Sequence, residues 1–499
     1  FGIGRKVEVN LRQKLFDHLL IQDPEWIQKR GSGDIISRAT SDVENIRRLL
    51  GFTVLSLCNI VLAYSLTIPS MFSINKPLTI SALIIFPVIL GIVSLFGGRM
   101  VNQRKAQQES LSKLSDLIQE DLSGISAIKL YAQENAEKKE FDIYNKMYRN
   151  SAIKLARTAS TLFPLLQGIS SISLLILLSL GTYQLENGFI TIGGLIALIL
   201  YVERLVFPTA LLGFTLNTFQ LGQVSLDRVE EIFQNNPKII DASNAKFLKN
   251  KIKGFVEAKN LKIKYPGSKF NSLNGLNFRI NPGELIAIVG PVGCGKTTLA
   301  KSIGRTIDIP DGQLFLDDID IKNIKLRDLR KNVAIVPQEA FLFTSTISEN
   351  LSFGNPKASN DLVKRSASKA GLTEDINSFP NRFRTIVGER GITLSGGQRQ
   401  RTALGRALLV DSSVIVLDDA LASVDNKTAS IIINEMRENN TKTILMISHQ
   451  LSVAASCDRV LVMDKGVIVQ QGKHKNLIKE EGLYKKLWER ELATKNIKS

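Results

Sequence analysis

The chain has 499 residues, with 64 Lys+Arg against 47 Asp+Glu and a formal net charge of +17, a length that calls for two or more domains. A mean hydropathy of +0.05 beside a pI of about 9.6 is out of keeping with a soluble enzyme and suits a membrane protein with basic cytosolic parts. The basic residues alternate with acids and form no arginine tract, which argues against a nucleic-acid partner. Cys58, Cys294 and Cys457 are scattered and make neither a metal spacing nor a disulfide framework, in keeping with a reducing compartment.

Residues 1–49 are polar and helix-patterned. In VEVNLRQKLFDHLL, Val9, Leu11, Leu15, Phe16 and Leu19 fall near one face. Pro24, Gly31 and Gly33 interrupt it, and DIISRATSDVENIRRLL predicts a second amphipathic helix. Four apolar segments follow, at about 50–74, 78–98, 162–185 and 189–213. Each has about 20 residues or more, hence roughly 30 Å of helix, enough to cross a hydrocarbon core. The first three carry no charge; the fourth carries Glu203 and Arg204. An ionisable residue at membrane depth is a functional candidate, which makes Glu203 a candidate for facing a substrate cavity. Arg204 points to another helix face and can snorkel to the cytosolic side.

The loops orient these spans. Residues 74–77 and 186–188 are tiny and nearly neutral, whereas 1–49 and 99–160 are long and rich in Lys and Arg, including Arg99, Arg104, Lys105, Lys138 and Lys139. The positive-inside rule places the long segments in the cytosol, so the spans form two hairpins joined by a long helical excursion. A transmembrane domain over 1–225, a linker over 226–252 and an α/β domain over 253–499 are expected, with Asn235, Asn236 and Pro237 at the boundary. In the last part, apolar runs such as ELIAIVG, SVIVLDD and TILMISH alternate with helical stretches.

Three motifs in this α/β half carry chemistry. LIAIVGPVGCGKTT is a phosphate-cradling loop between a strand and a helix. Its residues Gly290, Pro291, Val292, Gly293, Cys294, Gly295, Lys296, Thr297 and Thr298 are the candidate nucleotide contacts. Glycines let successive N–H groups turn toward one anion at a helix N-terminus. Lys296 is expected to reach the β- and γ-phosphates, and the Thr297 hydroxyl to ligate Mg²⁺. SVIVLDD ends in two carboxylates: Asp418 for Mg²⁺, and Asp419 where a base can polarise the attacking water. LSGGQ opens a helix with Ser395, Gly396, Gly397 and Gln398, a second anion site. Two phosphate-binding surfaces with one Mg²⁺ site suggest that each nucleotide is shared between two such domains.

The phosphate loop, LDD and LSGGQ together resemble the ATP-binding cassette (ABC) family, and closely the half-size multidrug and lipid exporters: an all-α transmembrane domain followed by an α/β P-loop ATPase domain. The resemblance covers nearly the whole chain. It implies that Tyr265 stacks on adenine, that Gln338 senses the γ-phosphate and Mg²⁺, and that His449 contacts the γ-phosphate. Glu389 matches the segment before LSGGQ, and Asp425 the loop after LDD. Segments at about 24–33 and 128–134 resemble the coupling helices that dock on the ATPase domains. Cys294 reads as a small loop residue whose pKa a helix N-terminus could lower.

Two departures stand out. Exporter halves have six spans and four are recognisable here, so Phe1 is read as the start of a sequence lacking the first span and most of the second. The family's catalytic glutamate is replaced by Asp419, one methylene shorter, which predicts a site that binds ATP well and hydrolyses it slowly. The expectation is an exporter of amphipathic or hydrophobic compounds, multi-pass in the plasma (inner) membrane, its ATPase domain in the cytoplasm. Its partner is expected to be a different half-transporter, with ATP and Mg²⁺ as cofactors and no nucleic acid. The alternatives are a regulatory ATP-binding subunit whose partner does the turnover, and a soluble ABC ATPase acting on nucleic acid, which the four spans oppose.

Overall fold

The computed structural model describes residues 2–248, 252–388, 391, 393–438 and 441–498; Glu389 lies outside them. The chain divides into two units, Phe1–Ile21 with Arg30–Asn236, and Gln22–Lys29 with Pro237–Ser499.

The first unit is helical. Among the described residues, four helices are long and apolar enough to cross a membrane: Ser32–Ile74, Lys76–Ser123, Glu134–Glu186 and Ile192–Gln234. Their tight connections are capped by short polar side chains. Asn75 Oδ1 accepts the Leu78 N–H at 3.1 Å with Pro77 in the first turn, and Thr191 Oγ1 accepts the Gly194 N–H at 3.1 Å; each satisfies a donor that the helix leaves unpaired. The second long helix breaks at Ile84–Ile85, just before Pro87, where a residue with no N–H cannot continue the ladder. Met71, Leu78, Ala82, Ile89, Leu177, Leu198 and Leu205 are fully buried between the helices. Leu62, Leu66, Leu175, Leu200 and Phe207 stay exposed on the outside, as helices do when their solvent is hydrocarbon.

At the polar ends, buried carboxylates are paired, as they must be away from water. Glu8 meets Arg5 at 3.0 Å, Arg12 at 2.9 Å and Arg47 at 3.4 Å. Asp42 accepts the Ser225 hydroxyl at 2.8 Å and meets Arg228 at 3.2 Å. These contacts explain why the last helix outruns the sequence expectation. Ser225, Val229 and Ile232 keep its buried stripe going, while Arg228 and Glu231 find partners in Asp34 and Arg38. Residues 226–234, expected as linker, are therefore helical, and the unit boundary falls after Asn236. Glu203 and Arg204 are both exposed on this helix.

Most of the expected first coupling segment forms the helix Pro24–Arg30, and Gln22–Lys29 group with the second unit. There the Asp23 carboxylate accepts the N–H groups of Lys238 at 2.8 Å and Ile239 at 3.1 Å. The other expected coupling segment starts in the last turn of the helix Ile125–Leu130.

Among the described residues, the second unit holds ten strands in two sheets. β1 (Val256–Ile263), β2 (Leu273–Ile280), β4 (Leu314–Leu316) and β5 (Ile319–Asp320) form an antiparallel sheet in the order β2-β1-β4-β5. β3 (Leu285–Val289), β6 (Val333–Val336), β7 (Val414–Asp418), β8 (Thr443–Ile447), β9 (Arg459–Asp464) and β10 (Val467–Gly472) form the other, in the order β10-β9-β3-β8-β7-β6. Its five strands from β9 to β6 pair in parallel. Every residue of β3, β7 and β8 is buried, which is why these strands read as unbroken apolar runs. Alternate residues serve two cores. Ala287, Val289, Ile415 and Leu417 face one; Ile286, Ile288, Val414 and Val416 face the other.

A candidate ATP-binding and hydrolysis site

Strand register assembles the site. β3, β8 and β7 lie side by side with Ile288 opposite Ile447 and Asp418 opposite Ile447. The segments leaving their carboxyl ends, the phosphate loop, Asp419 and Ser448–His449, therefore emerge together, where open α/β sheets bind ligands.

The loop is shaped by positions that a side chain would break. Gly290 (φ 155°), Gly293 (φ 79°) and Gly295 (φ 105°) all have positive φ. A Cβ at Gly290 would lie 2.1 Å from the Met463 carbonyl oxygen. Beyond the loop the helix Lys296–Ile303 begins. The Lys296 ammonium, 5% exposed, donates to the carbonyls of Gly290 at 2.8 Å and Pro291 at 2.9 Å. It thus lies over the loop whose backbone is to cradle an anion. Pro291 is half-buried, and Val292 stands out, 88% exposed.

Thr297 Oγ1 donates to Asp418 Oδ1 at 3.2 Å, so a hydroxyl and a carboxylate oxygen converge. Burial pushes the Asp418 carboxyl above the usual range; the Thr297 hydrogen bond opposes this and the Asp419 charge adds to it. A cation there would favour the charged form. Among the described residues, no group of three or more His, Cys, Asp or Glu forms a closed metal cage. The pair Thr297–Asp418 fits Mg²⁺ nonetheless, since this ion keeps one or two protein oxygens and takes the rest from water and phosphate.

Asp419 is 8% exposed and has φ 53°, unusual for a non-glycine residue. Its N–H donates to the Ile447 carbonyl at 2.9 Å, and its Oδ1 accepts the His449 N–H at 3.4 Å. Those two bonds tie the carboxylate to the segment that carries the exposed His449 side chain. Gln338, beyond the end of β6, is also exposed. Tyr265 is half-buried, and its hydroxyl donates to Thr298 Oγ1 at 3.4 Å. Its ring lines a cleft with Lys262, Lys264 and Asp308, next to the phosphate loop's helix.

LSGGQ forms a capping box at the start of the helix Gly396–Leu408. Ser395 Oγ accepts the Gln398 N–H at 3.2 Å, and Gln398 Oε1 accepts the Ser395 N–H at 2.9 Å. The Gln398 amide nitrogen donates to Asp375 at 2.9 Å. The side chain expected to touch nucleotide is thus engaged at both ends in shaping the loop. Gly397 is needed for close approach: a Cβ there would lie 2.7 Å from the Ser423 carbonyl oxygen. Among the described residues, no hydrogen bond joins Ser395, Gly396 or Gly397 to the phosphate loop. Asp425 caps the next helix through the Thr428 N–H at 2.9 Å, which holds its carboxyl below the usual range.

The sequence reading passed over Gln400. It is buried on the LSGGQ helix, where its amide donates to the Asp419 carbonyl at 3.5 Å and accepts the Ser423 N–H at 2.9 Å. Gln400 thereby links the two motifs. A polar residue five positions after Ser395, on the face shared with Ala403, Leu404 and Ala407, was the available sign.

Cys294 corrects an expectation. The helix N-terminus does not lower its pKa: the thiol is 4% exposed, and burial pushes it up against the opposing Lys296 charge. Maleimide labelling of Cys294 should be slow at neutral pH, accelerate as the pH rises past the ordinary thiol range, block ATP binding once complete, and be prevented by bound ATP. Fast labelling at neutral pH, followed by mass spectrometry of the loop peptide, would contradict the buried thiol.

Comparison with known proteins bears on the family and the fold. The family model described as ABC transporter transmembrane region matches residues 2–209, and the one described as ABC transporter matches 273–422. The multidrug resistance-like ATP-binding protein MdlA of Buchnera aphidicola is 35% identical over 96% of this chain and 83% of its own length. The probable multidrug resistance ABC transporter ATP-binding/permease protein YheI of Bacillus subtilis is 31% identical over 98% of this chain and 84% of its own. The solved structure of a bacterial Atm1-family ABC exporter with ATP bound superposes with a TM-score of 0.82 at 25% identity, covering 98% of this chain and 86% of that one. With a helical membrane region and an ATPase domain both matched in one polypeptide, the chain belongs to the ABC transporter family, as a half-size exporter subunit whose ATP hydrolysis is coupled to transport.

Proposed function

We propose that this chain exports amphipathic or hydrophobic compounds as one half of a heterodimeric transporter in the plasma (inner) membrane, with its ATPase domain in the cytoplasm and its own hydrolytic site weakened. The observation that carries the reading is Asp419. Its carboxylate is buried and fastened to the His449 backbone, yet it ends one methylene short of the glutamate expected there. A general base must lie within about 3 Å of the attacking water, and a misplacement of about 1 Å can cost a hundredfold.

In this reading Tyr265 stacks on the adenine, the residues from Gly290 to Thr298 hold the phosphates, and Thr297, Asp418 and Gln338 hold Mg²⁺. When bound, that ion would neutralise charge on the transferring phosphate. Lys296 swings from the loop carbonyls to the phosphates. Asp419 orients the water, and His449 contacts the γ-phosphate. LSGGQ closes over the nucleotide of the partner, which supports the shared-site arrangement: in this chain its hydrogen bonds go elsewhere than the phosphate loop. ATP drives the cycle through its tighter binding to the closed pair of domains. The coupling segments transmit that closure, and the grip of Asp23 on Lys238 and Ile239 supports this for the first of them.

Asp419→Glu should raise hydrolysis at this chain's own site about tenfold or more, measured in the reconstituted pair with the partner's hydrolytic site inactivated, since it restores the reach of the base. No gain would point to another defect in the site or to an aspartate that already serves as an effective base. Turnover by this chain alone equal to that of the pair would remove the case for a partner that does the hydrolysis.

A further inference from the structure

We propose that Glu491 is a positioning residue for the ATPase reaction: from the C-terminal helix its carboxylate holds the backbone that presents His449. The inference rests on the reading of His449 as the γ-phosphate contact.

The helix Leu483–Lys498 packs on the sheet domain through one stripe. Tyr484 is fully buried, and Leu487 and Trp488 lie against the same core, which includes Leu451, Val453 and Cys457. The positions 484, 487 and 488 follow the i, i+3, i+4 spacing of a core-facing side, and the next member of that stripe, i+7, is Glu491. A carboxylate stands where the pattern reserves a place for an apolar side chain. Such a group is costly unless it has a partner. One partner is distant in sequence: Oε2 accepts the Leu451 N–H at 2.7 Å, across 40 residues of sequence.

Leu451 opens the short helix Leu451–Ala454, two residues after His449. The residue at that helix's cap, Gln450, makes no side-chain capping bond; Glu491 takes over at Leu451 from a distant element. The same segment is held on its other side. The Ser448 N–H donates to the Ile288 carbonyl at 3.2 Å, and the His449 N–H to Asp419 Oδ1 at 3.4 Å. His449 is therefore suspended between two carboxylates, Asp419 at its own N–H and Glu491 at the N–H two residues on. The C-terminal helix is itself pinned at its start. The Tyr484 N–H donates to Gln470 Oε1 at 3.0 Å, and the Tyr484 hydroxyl meets His474 Nδ1 at 2.7 Å. Seven residues later, roughly 10 Å along the axis, Glu491 has a fixed place.

Removing this tether leaves the phosphate loop untouched and lets the His449 backbone drift. The test uses the reconstituted pair in lipid, with the partner's hydrolytic site inactivated, and compares Glu491→Ala, Glu491→Gln and His449→Ala by steady-state ATPase, thermal unfolding and amide hydrogen exchange over residues 448–454. In Glu491→Ala, kcat should fall about tenfold with KM for ATP nearly unchanged, because a sub-ångström drift costs part of the hundredfold that a full 1 Å would. Exchange at Leu451 should accelerate. Glu491→Gln should restore kcat, since its amide oxygen can accept the same N–H. Three results would overturn the inference: unchanged kcat in Glu491→Ala while His449→Ala abolishes turnover; no rescue by Glu491→Gln; or a kcat loss matched by a raised KM and a lowered melting temperature. Full turnover in His449→Ala would instead overturn the reading of His449, and the role assigned to Glu491 with it.

Discussion

Lys296→Ala is expected to abolish ATP hydrolysis and to remove nearly all labelling by a photoreactive adenine nucleotide with magnesium. The ammonium is buried and already sits over the loop, donating to the Gly290 and Pro291 carbonyls. It needs no long excursion to reach a phosphate. Each hydrogen bond between a charged donor and its acceptor contributes about 1.5–3 kcal/mol. Losing two such bonds to the β- and γ-phosphates weakens binding by about 3–6 kcal/mol, or roughly a hundredfold to ten-thousandfold. The substitution leaves the fold intact, because the aliphatic stem is replaced at a helix start where alanine is well accepted. Labelling that persists undiminished in the folded variant would remove the foundation of the nucleotide-site reading.

Gly295→Ala should be nearly as damaging, through shape alone. Gly295 has φ 105° and ψ 6°, a left-handed conformation, at the cap of the helix Lys296–Ile303. An added Cβ would lie 2.4 Å from the Ser272 carbonyl oxygen and 2.9 Å from Leu273 Cδ2. The Ser272 backbone cannot yield easily: its N–H donates to the Ile263 carbonyl at 2.7 Å, and β2 begins at the next residue. Backbone strain of about 1–3 kcal/mol then adds to overpacking of about 1–3 kcal/mol. The melting temperature should drop by several degrees and ATP affinity should fall with it. Gly293→Ala is the internal control. It shares a positive φ of 79° but meets nothing within 4 Å, so it should carry the strain without the clash and lose less. Equal losses at the two positions would show that the contact with Ser272 is unimportant.

Much of the fold was legible from local pattern. The four apolar segments, the buried parallel strands and the phosphate loop each announce themselves within about 20 residues, because hydrocarbon crossing, two-sided burial and left-handed glycine geometry are demands on neighbouring residues. LSGGQ was legible as the start of a helix for the same reason: Ser395 and Gln398 satisfy each other's backbone over a single turn.

Other features needed the chain to be folded. The last long helix continues to Gln234 because Arg228 and Glu231 meet Asp34 and Arg38, residues almost two hundred positions earlier. Gln398 turned out to be occupied by Asp375, and Gln400 to bridge Asp419 and Ser423. For Cys294 the sequence suggested a lowered pKa, yet burial outweighs the nearby Lys296. Glu491 looks like any surface glutamate in the string ERELATK, and only the packing of its helix sets it against Leu451. Periodicity and backbone dihedrals are written in adjacent residues, so the sequence by itself determined the elements and the chemistry at strand ends. Hydrogen-bond partners and burial are set by residues that meet across the fold, so which side chains are free to act was decided by the tertiary structure alone.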